Sequence, residues 1–232
     1  MYICGLNKTT LLDYPEHLAA TLFLGGCNFL CPFCQNSSLV LPERYPDAIP
    51  LEEVLTFLKK RSHMLEGVCI TGGEPTLQKD LPNLIASIKQ LGLKVKLDTN
   101  GNLPDMLSYL LEQNLLDYVA MDIKNSPAKY PLTVGIPDFS INNIEKSVSI
   151  LRNCAIPYEF RMTIVKELHT HTDMHDIGTW LVGSPVLFLQ SFVDSGEILQ
   201  EGLSAHSKET LLDFRDILKT YITKVELRGI SS

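Results

Sequence analysis

Short apolar runs alternate with helical patterns along this chain, and the alternation limits the folds that it can adopt. Runs of strand length occur at 18–24, 68–71, 93–98, 118–123, 158–165, 186–192 and 224–227. Between them, apolar residues recur at the three- and four-residue spacing of one helix face, at 51–58, 81–91, 103–113, 141–153, 174–182 and 208–221. Strands that alternate with helices build a mostly parallel sheet covered on both faces.

The number of predicted strands indicates which α/β architecture to expect. Six or seven strands are fewer than the eight of a closed (β/α)8 barrel, so we expect an α/β fold with an open, partial (β/α)6 barrel. Such folds bind ligands at the carboxyl ends of their strands. Residues 41–50 contain three prolines and should cross irregularly, and nothing resembles a linker. We therefore expect a single domain over residues 1–232.

Composition and charge exclude several classes of function. The chain has 232 residues, a formal net charge of −7 and a pI near 5.4, which disfavours a nucleic-acid partner. Its start lacks a signal-peptide pattern, and no apolar stretch approaches the length of a membrane helix. We expect a cytoplasmic protein without membrane or nucleic-acid contacts, whose six cysteines are reduced thiols or metal ligands.

Three cysteines lie close together, directly after the first strand. Cys27, Cys31 and Cys34 have the spacing CxxxCxxC, and a tight loop can bring three such thiolates to one four-iron cluster. The fourth iron of that cluster would have no cysteine ligand. A zinc site, which would need a fourth ligand, and three thiols without metal are the alternatives. Cys4, Cys69 and Cys154 are scattered and are expected to be small buried apolar residues.

Further polar motifs follow the next three strands. Gly72, Gly73 and Glu74 come after the second strand, where glycines allow close backbone approach and a carboxylate can accept a hydrogen bond from an ammonium group. Asp98 begins the segment DTNG after the third strand, and the fourth strand ends in Asp122-Ile123-Lys124. Separately, these segments could be a simple turn, a helix-entry turn and a surface lysine.

Taken together, the segments GGCNFLCPFC, TGGEP, DTNG and DIK resemble the motifs of radical S-adenosylmethionine enzymes, and the last two resemble those of glycyl-radical-enzyme activating enzymes. The resemblance implies a [4Fe-4S] cluster on the three cysteines, completed by the amine and carboxylate of S-adenosylmethionine. It further implies that Gly72, Gly73 and Glu74 bind the methionine amine and that Lys124 engages its carboxylate. Asp98 and Asp122 would face the cofactor or a monovalent cation beside it.

Overall, the chain is most similar to the longer form of the anaerobic ribonucleoside-triphosphate reductase activating proteins. That resemblance implies formation of a 5′-deoxyadenosyl radical, transfer of a hydrogen atom from a glycine Cα of a partner enzyme, and a flavodoxin or ferredoxin as reductant. Two alternatives stay open. One is a radical enzyme acting on a small molecule, a peptide or a different glycyl radical enzyme, and the other is an electron-transfer or binding module.

Other marked residues have weaker patterns. Arg161 on the fifth predicted strand could reach the site or form a structural ion pair. His169, His171 and His175 have a spacing compatible with metal binding, but they lie in a polar loop that enters a helix and are expected to be solvated or capping residues. Gln190 lies in the sixth predicted strand, and its role is left open.

Overall fold

A computed structural model of the protein describes residues 1–229. These residues form two compact units. The first unit comprises 1–28, 36–120 and 143–157, and the second comprises 29–35, 121–142 and the chain from Tyr158 onward. Each unit is built from separate chain segments, so the expectation of one domain over 1–232 stays a prediction.

Eight strands form one sheet in which spatial order follows chain order. The pairs β2–β3, β3–β4, β6–β7 and β7–β8 are parallel, whereas β1 runs antiparallel to β2. The strands are β1 (Ile3–Thr10), β2 (Ala19–Leu24), β3 (Gly67–Gly72), β4 (Lys94–Thr99), β5 (Tyr118–Asp122), β6 (Tyr158–Ile164), β7 (Val186–Ser191) and β8 (Lys224–Arg228).

Eight helices accompany the strands in the described part of the chain. They are α1 (Ser37–Val40), α2 (Leu51–Arg61), α3 (Leu81–Gln90), α4 (Pro104–Glu112), α5 (Tyr130–Val134), α6 (Asn142–Arg152), α7 (His171–Trp180) and α8 (Lys208–Leu218). Short 3-10 turns occur at Pro42–Arg44, Pro75–Leu77 and Pro127–Lys129. Each strand from β2 to β7 is followed by at least one helix, so six βα units are present, as predicted.

The predicted strand number was too low because the sequence pattern did not reveal β1. Its residues change from buried to exposed in blocks, without the alternation that marks a half-buried strand. Its pairing with β2 also contains two register shifts, so its periodicity is broken. Since no helix separates β1 from β2, the additional strand leaves the six βα units unchanged.

The apolar faces predicted from periodicity form the core of each unit. In the first unit, strand residues Leu22, Ile70 and Leu97 and helix residues Leu84 and Ile88 are buried. In the second unit, helices α7 and α8 pack against each other and α8 packs against β8. Buried residues there include Phe160, Leu187, Ile177 and Phe214. Within residues 1–229, no helix is both long and apolar enough to span a membrane.

Candidate functional site

In the first unit, two glycines bring the loop after β3 against the backbone that precedes the first cysteine. The Glu74 N–H donates to the Gly26 carbonyl at 2.6 Å. A Cβ atom on Gly73 would lie 2.1 Å from the same oxygen, and Gly72 has a φ of +117°. Only glycine permits such close approach. The predicted cofactor residues Gly72 and Gly73 therefore allow the loop after β3 to pack directly against the loop that precedes Cys27.

The Glu74 carboxylate is fully buried and accepts hydrogen bonds from four donors of the chain. The N–H of Thr76 donates at 3.1 Å, its hydroxyl donates as well, the Thr99 hydroxyl donates at 2.8 Å and the Asn100 N–H at 2.6 Å. Burial raises the pKa of Glu74 although these bonds favour the carboxylate. The predicted ligand residue thus joins the loops after β3 and β4.

Asn100 extends this network to the first cysteine. Its side-chain amide donates to Asn28 Oδ1 at 2.8 Å and contacts the Cys27 sulfur at 3.9 Å. The sequence motif DTNG contains Asn100 and Thr99, but their part in holding the Glu74 carboxylate was not foreseen. A polar residue directly after a strand, one residue before a glycine, is the signal that could have indicated it.

Asp98 also lies where it was predicted, at the end of β4. Its carboxylate accepts a hydrogen bond from the ammonium group of Lys96, two residues earlier in the same strand. Both residues are buried, with exposed fractions of 9% for Asp98 and 1% for Lys96. Lys96 is therefore a second charged residue of this region, besides Asp98, and the sequence motifs do not indicate it.

In the second unit, Cys31 and Cys34 belong to one tight turn. The Cys34 N–H donates to the Cys31 carbonyl at 3.0 Å, which places the two thiols three residues apart in a single bend. The chain just before the turn is fixed by the segment that contains α5, because the Leu30 N–H donates to the Val134 carbonyl at 2.9 Å. The Phe29 ring also packs edge-on against Phe139, with 5.3 Å between centroids.

Asp122, Lys124 and Arg161 form an ion-pair cluster in the second unit. The Lys124 ammonium lies 3.0 Å from Asp122 Oδ2, and the Arg161 guanidinium lies 3.0 Å from Asp122 Oδ1. Burial alone would raise the pKa of Asp122, but the two cations outweigh it and lower that pKa to about 2. Arg161 therefore forms the ion pair that was considered for it, and its partner Asp122 is a predicted site residue.

Lys124 also faces the second cysteine. Burial would lower the pKa of Lys124, but the Asp122 carboxylate and the thiolate form of the nearby Cys31 raise it. The ammonium is therefore charged near neutral pH. With one carboxylate between two cations, the cluster of Asp122, Lys124 and Arg161 carries a net positive charge beside Cys31, and positive charge stabilises a thiolate.

The prediction for the histidines was right for two residues and wrong for the third. His171 and His175 are exposed at the start of α7. His169 is completely buried, and its ring contacts the Lys124 carbonyl at 2.9 Å and the Val165 N–H at 3.0 Å. A tight turn after β6 accounts for this, since it folds the ring back under the strand end. Burial lowers the pKa of His169.

The structure also shows how far the other three cysteines and Gln190 are buried. Cys4 and Cys69 are buried, as predicted, whereas Cys154 is only half-buried and donates its S–H to the Ile156 carbonyl at 3.2 Å. Cys154 lies just after α6, where the chain turns at the surface, so the prediction of burial was wrong for it. Gln190 is half-buried in β7, and its register partner in β8 is Arg228.

The donor chemistry of the chain fits an iron–sulfur cluster. Thiolates are the ligands that such clusters use. All six cysteines lie within residues 1–229, and none forms a disulfide there. In that same range, no three His, Cys, Asp or Glu side chains are grouped as a metal ion would need them. The assignment of the cluster to Cys27, Cys31 and Cys34 therefore rests on their spacing and local surroundings, and it stays a prediction.

Comparison with known families identifies the class of protein. Residues 21–175 match the model of the radical SAM superfamily, and the chain belongs to that superfamily. A protein of Methanocaldococcus jannaschii, provisionally named a glycyl-radical enzyme activating enzyme, is 31% identical over 238 aligned positions. The alignment covers 99% of this chain and 96% of the relative. The resemblance drawn from the motifs is thereby confirmed at the level of the superfamily.

Other relatives and structural neighbours have different names. The 7-carboxy-7-deazaguanine synthase of Methanopyrus kandleri is 27% identical, over 76% of this chain and 74% of the relative. Streptococcus suis SuiB bound to S-adenosylmethionine has a TM-score of 0.69 at 14% identity. That alignment covers 90% of this chain but only 52% of SuiB, so the chain spans about half of SuiB's length. Native anSMEcpe with bound AdoMet has a TM-score of 0.63 and 17% identity, over 88% of this chain and 61% of that one.

These likenesses confirm the predicted fold class, the α/β fold of the radical SAM type. The cofactors of the superfamily are a [4Fe-4S] cluster and S-adenosylmethionine, as predicted. The protein is therefore an enzyme of the radical SAM superfamily.

Proposed function

We propose that the protein is a glycyl-radical-enzyme activating enzyme and that its partner is an anaerobic ribonucleoside-triphosphate reductase. The observation that carries the proposal is the match to the Methanocaldococcus jannaschii relative along almost the whole length of both chains. The choice of the reductase as partner rests on the resemblance of the sequence motifs.

The cluster and S-adenosylmethionine, with one electron from a flavodoxin or ferredoxin, supply methionine and a 5′-deoxyadenosyl radical. In the proposal, Cys27, Cys31 and Cys34 are the catalytic ligands of the cluster. The Lys124 ammonium lies beside Cys31, and it would favour the thiolate form that binds iron. In the first unit, Asn100 would donate a hydrogen bond toward the Cys27 sulfur.

The methionine part of the cofactor is proposed to meet two kinds of groups. Backbone groups of Gly72 and Gly73 would contact the amine, while the Lys124 ammonium would pair with the carboxylate. The Glu74 carboxylate already accepts four hydrogen bonds from the chain, so we expect it to act by fixing the glycine loop. The Asp122 carboxylate would hold Lys124 in place through its ion pair.

The activation step moves one hydrogen atom. The glycine Cα of the partner would give it up to the 5′-deoxyadenosyl group that the cofactor would supply, and the products would be 5′-deoxyadenosine and a glycyl radical. The test is anaerobic: reduced protein and S-adenosylmethionine are mixed with a candidate reductase whose glycines carry deuterium at Cα. We expect deuterated 5′-deoxyadenosine by mass spectrometry, together with an electron paramagnetic resonance doublet in the undeuterated sample that collapses to a narrower signal on deuteration.

A matched control uses a reductase whose target glycine is replaced by alanine. The label and the doublet should then disappear, while slow uncoupled release of 5′-deoxyadenosine continues. If every glycyl radical enzyme of the same organism stays unactivated, the activating function is wrong. Release of 5′-deoxyadenosine without any partner would still support a radical enzyme, whereas an electron-transfer module would release none.

The second candidate is a radical enzyme that acts on a small molecule. The observation in its favour is the likeness to the 7-carboxy-7-deazaguanine synthase of Methanopyrus kandleri, which covers about three quarters of each chain. Incubation with deuterated metabolite extracts separates the candidates. Transfer of the label from a small molecule, with no label from the reductase, would favour this second function.

A further inference from the structure

A lysine ammonium is buried beside Asp98 in the first unit. Lys96 is only 1% exposed, and its ammonium group donates to Asp98 Oδ1 and lies 3.7 Å from the Cys69 sulfur. Lysine is seldom buried so completely, since its charge must be compensated inside the protein. The compensation here comes from the same carboxylate that the sequence motifs assign to the cofactor region.

The backbone geometry makes this contact a fixed feature of the fold. Lys96 and Asp98 are two residues apart in β4, so their side chains lie on the same face of the sheet. Cys69 is the register partner of Lys96 in β3 and faces the same way. Val95 and Leu97, on the opposite face, are fully buried and hold the strand in this register.

This arrangement disagrees with a monovalent cation at Asp98, which is one of the two neighbours, besides the cofactor itself, that the resemblance to activating enzymes implies. A sodium or potassium ion would need carboxylate and carbonyl oxygens that point at it. The Asp98 carboxylate already meets an ammonium group, and a second positive charge next to that group would be repelled. The ammonium group supplies the single positive charge that the ion would otherwise bring.

We propose that the Lys96 ammonium is a built-in cation that takes the place of a monovalent metal ion beside Asp98. The protein would then need neither sodium nor potassium at this position. The inference goes beyond the proposed function, because it holds whichever substrate or partner the enzyme has.

Thermal unfolding of the cluster-reconstituted full chain tests the proposal. The measurement compares the Tm in chlorides of potassium, sodium, ammonium and choline at equal ionic strength. We expect the wild-type Tm to be the same in all four salts. Lys96→Met keeps the length of the side chain and removes the charge, so its Tm in choline chloride should fall by roughly 5–15 °C. Potassium or ammonium should restore at least half of this loss, in a saturable way.

Two control variants isolate the role of the site. Lys89→Met breaks another lysine–aspartate pair of the same unit, with Asp117, whose side chains are 31% and 28% exposed. Its smaller loss of Tm should be the same in every salt. In the double variant Lys96→Met/Asp98→Asn, the carboxylate is gone and the specific response to potassium should vanish.

Three results would each overturn the proposal. The first is a saturable, potassium-specific rise of the wild-type Tm, which would show that an ion binds although Lys96 is present. The second is a Lys96→Met protein whose Tm responds equally to choline and potassium. The third is a Lys96→Met protein that stays unfolded in all four salts, because a bound ion should restore the missing charge.

Discussion

Glu74 is a buried carboxylate, and burial of a charge is unfavourable unless hydrogen bonds compensate. Its four donors come from Thr76, Thr99 and Asn100, on the loops after β3 and β4. Hydrogen bonds to a charged group each contribute about 1.5–3 kcal/mol in proteins. Removal of the carboxylate would therefore loosen both loops, and any loss of cofactor affinity in a Glu74 variant would include this indirect effect.

The cysteines allow a direct test at the scale of single residues. We expect Cys27→Ala, Cys31→Ala and Cys34→Ala each to abolish assembly of the cluster, because three thiolates are needed and no other cysteine follows their spacing. The measurement is iron and sulfide per chain after anaerobic reconstitution, with visible absorption spectra. Each of the three variants should contain almost no cluster.

Cys4→Ala and Cys154→Ala are the matched controls for that experiment. Burial raises the pKa of both thiols, which disfavours the thiolate form that binds metal. Both variants should load iron like the wild type. A fully loaded Cys31→Ala protein would mean that the cluster lies elsewhere.

Two single residues show what the sequence could not predict. Lys96 lies within the run 93–98, which predicts a strand by its length and apolar residues, and it precedes Asp98 by two residues. The alternation of a strand would have placed both on one face. His169 was judged from its polar neighbours, and its burial depends on a turn that brings its ring to the Lys124 carbonyl, 45 residues away in sequence.

At the scale of elements, the end of β3 offers a test of how the loops are joined. Gly73→Ala would place a Cβ atom 2.1 Å from the Gly26 carbonyl oxygen, so the two loops must separate. Overpacking of this kind costs about 1–3 kcal/mol. We expect a lower free energy of unfolding in urea and less iron per chain after reconstitution, because the loop next to Cys27 is displaced.

Gly5→Ala is a suitable control for that variant. Its Cβ would lie 3.3 Å from the side chain of Phe23, which can adjust, and its three nearest neighbours are all atoms of that side chain. It should retain the stability and iron content of the wild type. If Gly73→Ala kept the stability and iron content of this control, the prediction that close backbone contact requires glycine at position 73 would be wrong.

Most of the elements could be predicted because their signals are periodic. The faces of α3 and α6 repeat over three turns, and parallel strands such as β7 read as apolar runs. The five-residue helix α5 is too short for any period and was missed. It begins after a Pro127–Lys129 turn and ends at Gly135, whose φ is +72°.

For the whole molecule, His169 predicts how stability depends on pH. Burial lowers the pKa of His169 in the folded protein below the usual value of about 6.5. Below that pH the unfolded chain binds a proton that the folded protein does not. The free energy of unfolding should therefore fall as the pH drops from 7 towards 5, by at most about 1.4 kcal/mol per pH unit.

Urea unfolding at a series of pH values, with His169→Gln beside the wild type, checks this prediction. The variant cannot take up the proton, so its stability should depend less on pH across the same range. His63→Gln replaces an exposed histidine and should follow the wild-type curve. Parallel curves for His169→Gln and wild type would contradict the assignment.

Hydrogen bonds join the loops at 25–28, 72–76 and 98–101, whereas the turn of Cys31 and Cys34 is supported by residues 124–139. Synthesis on the ribosome proceeds from the amino end, and the chain begins to fold as it emerges. The residues that contact the Cys27 loop have all been synthesised once the ribosome reaches residue 101. Those that contact the turn of Cys31 and Cys34 are synthesised later. If the cluster is held as proposed, its insertion should therefore follow the synthesis of residues 124–139, because the turn of Cys31 and Cys34 lacks its supporting contacts before then.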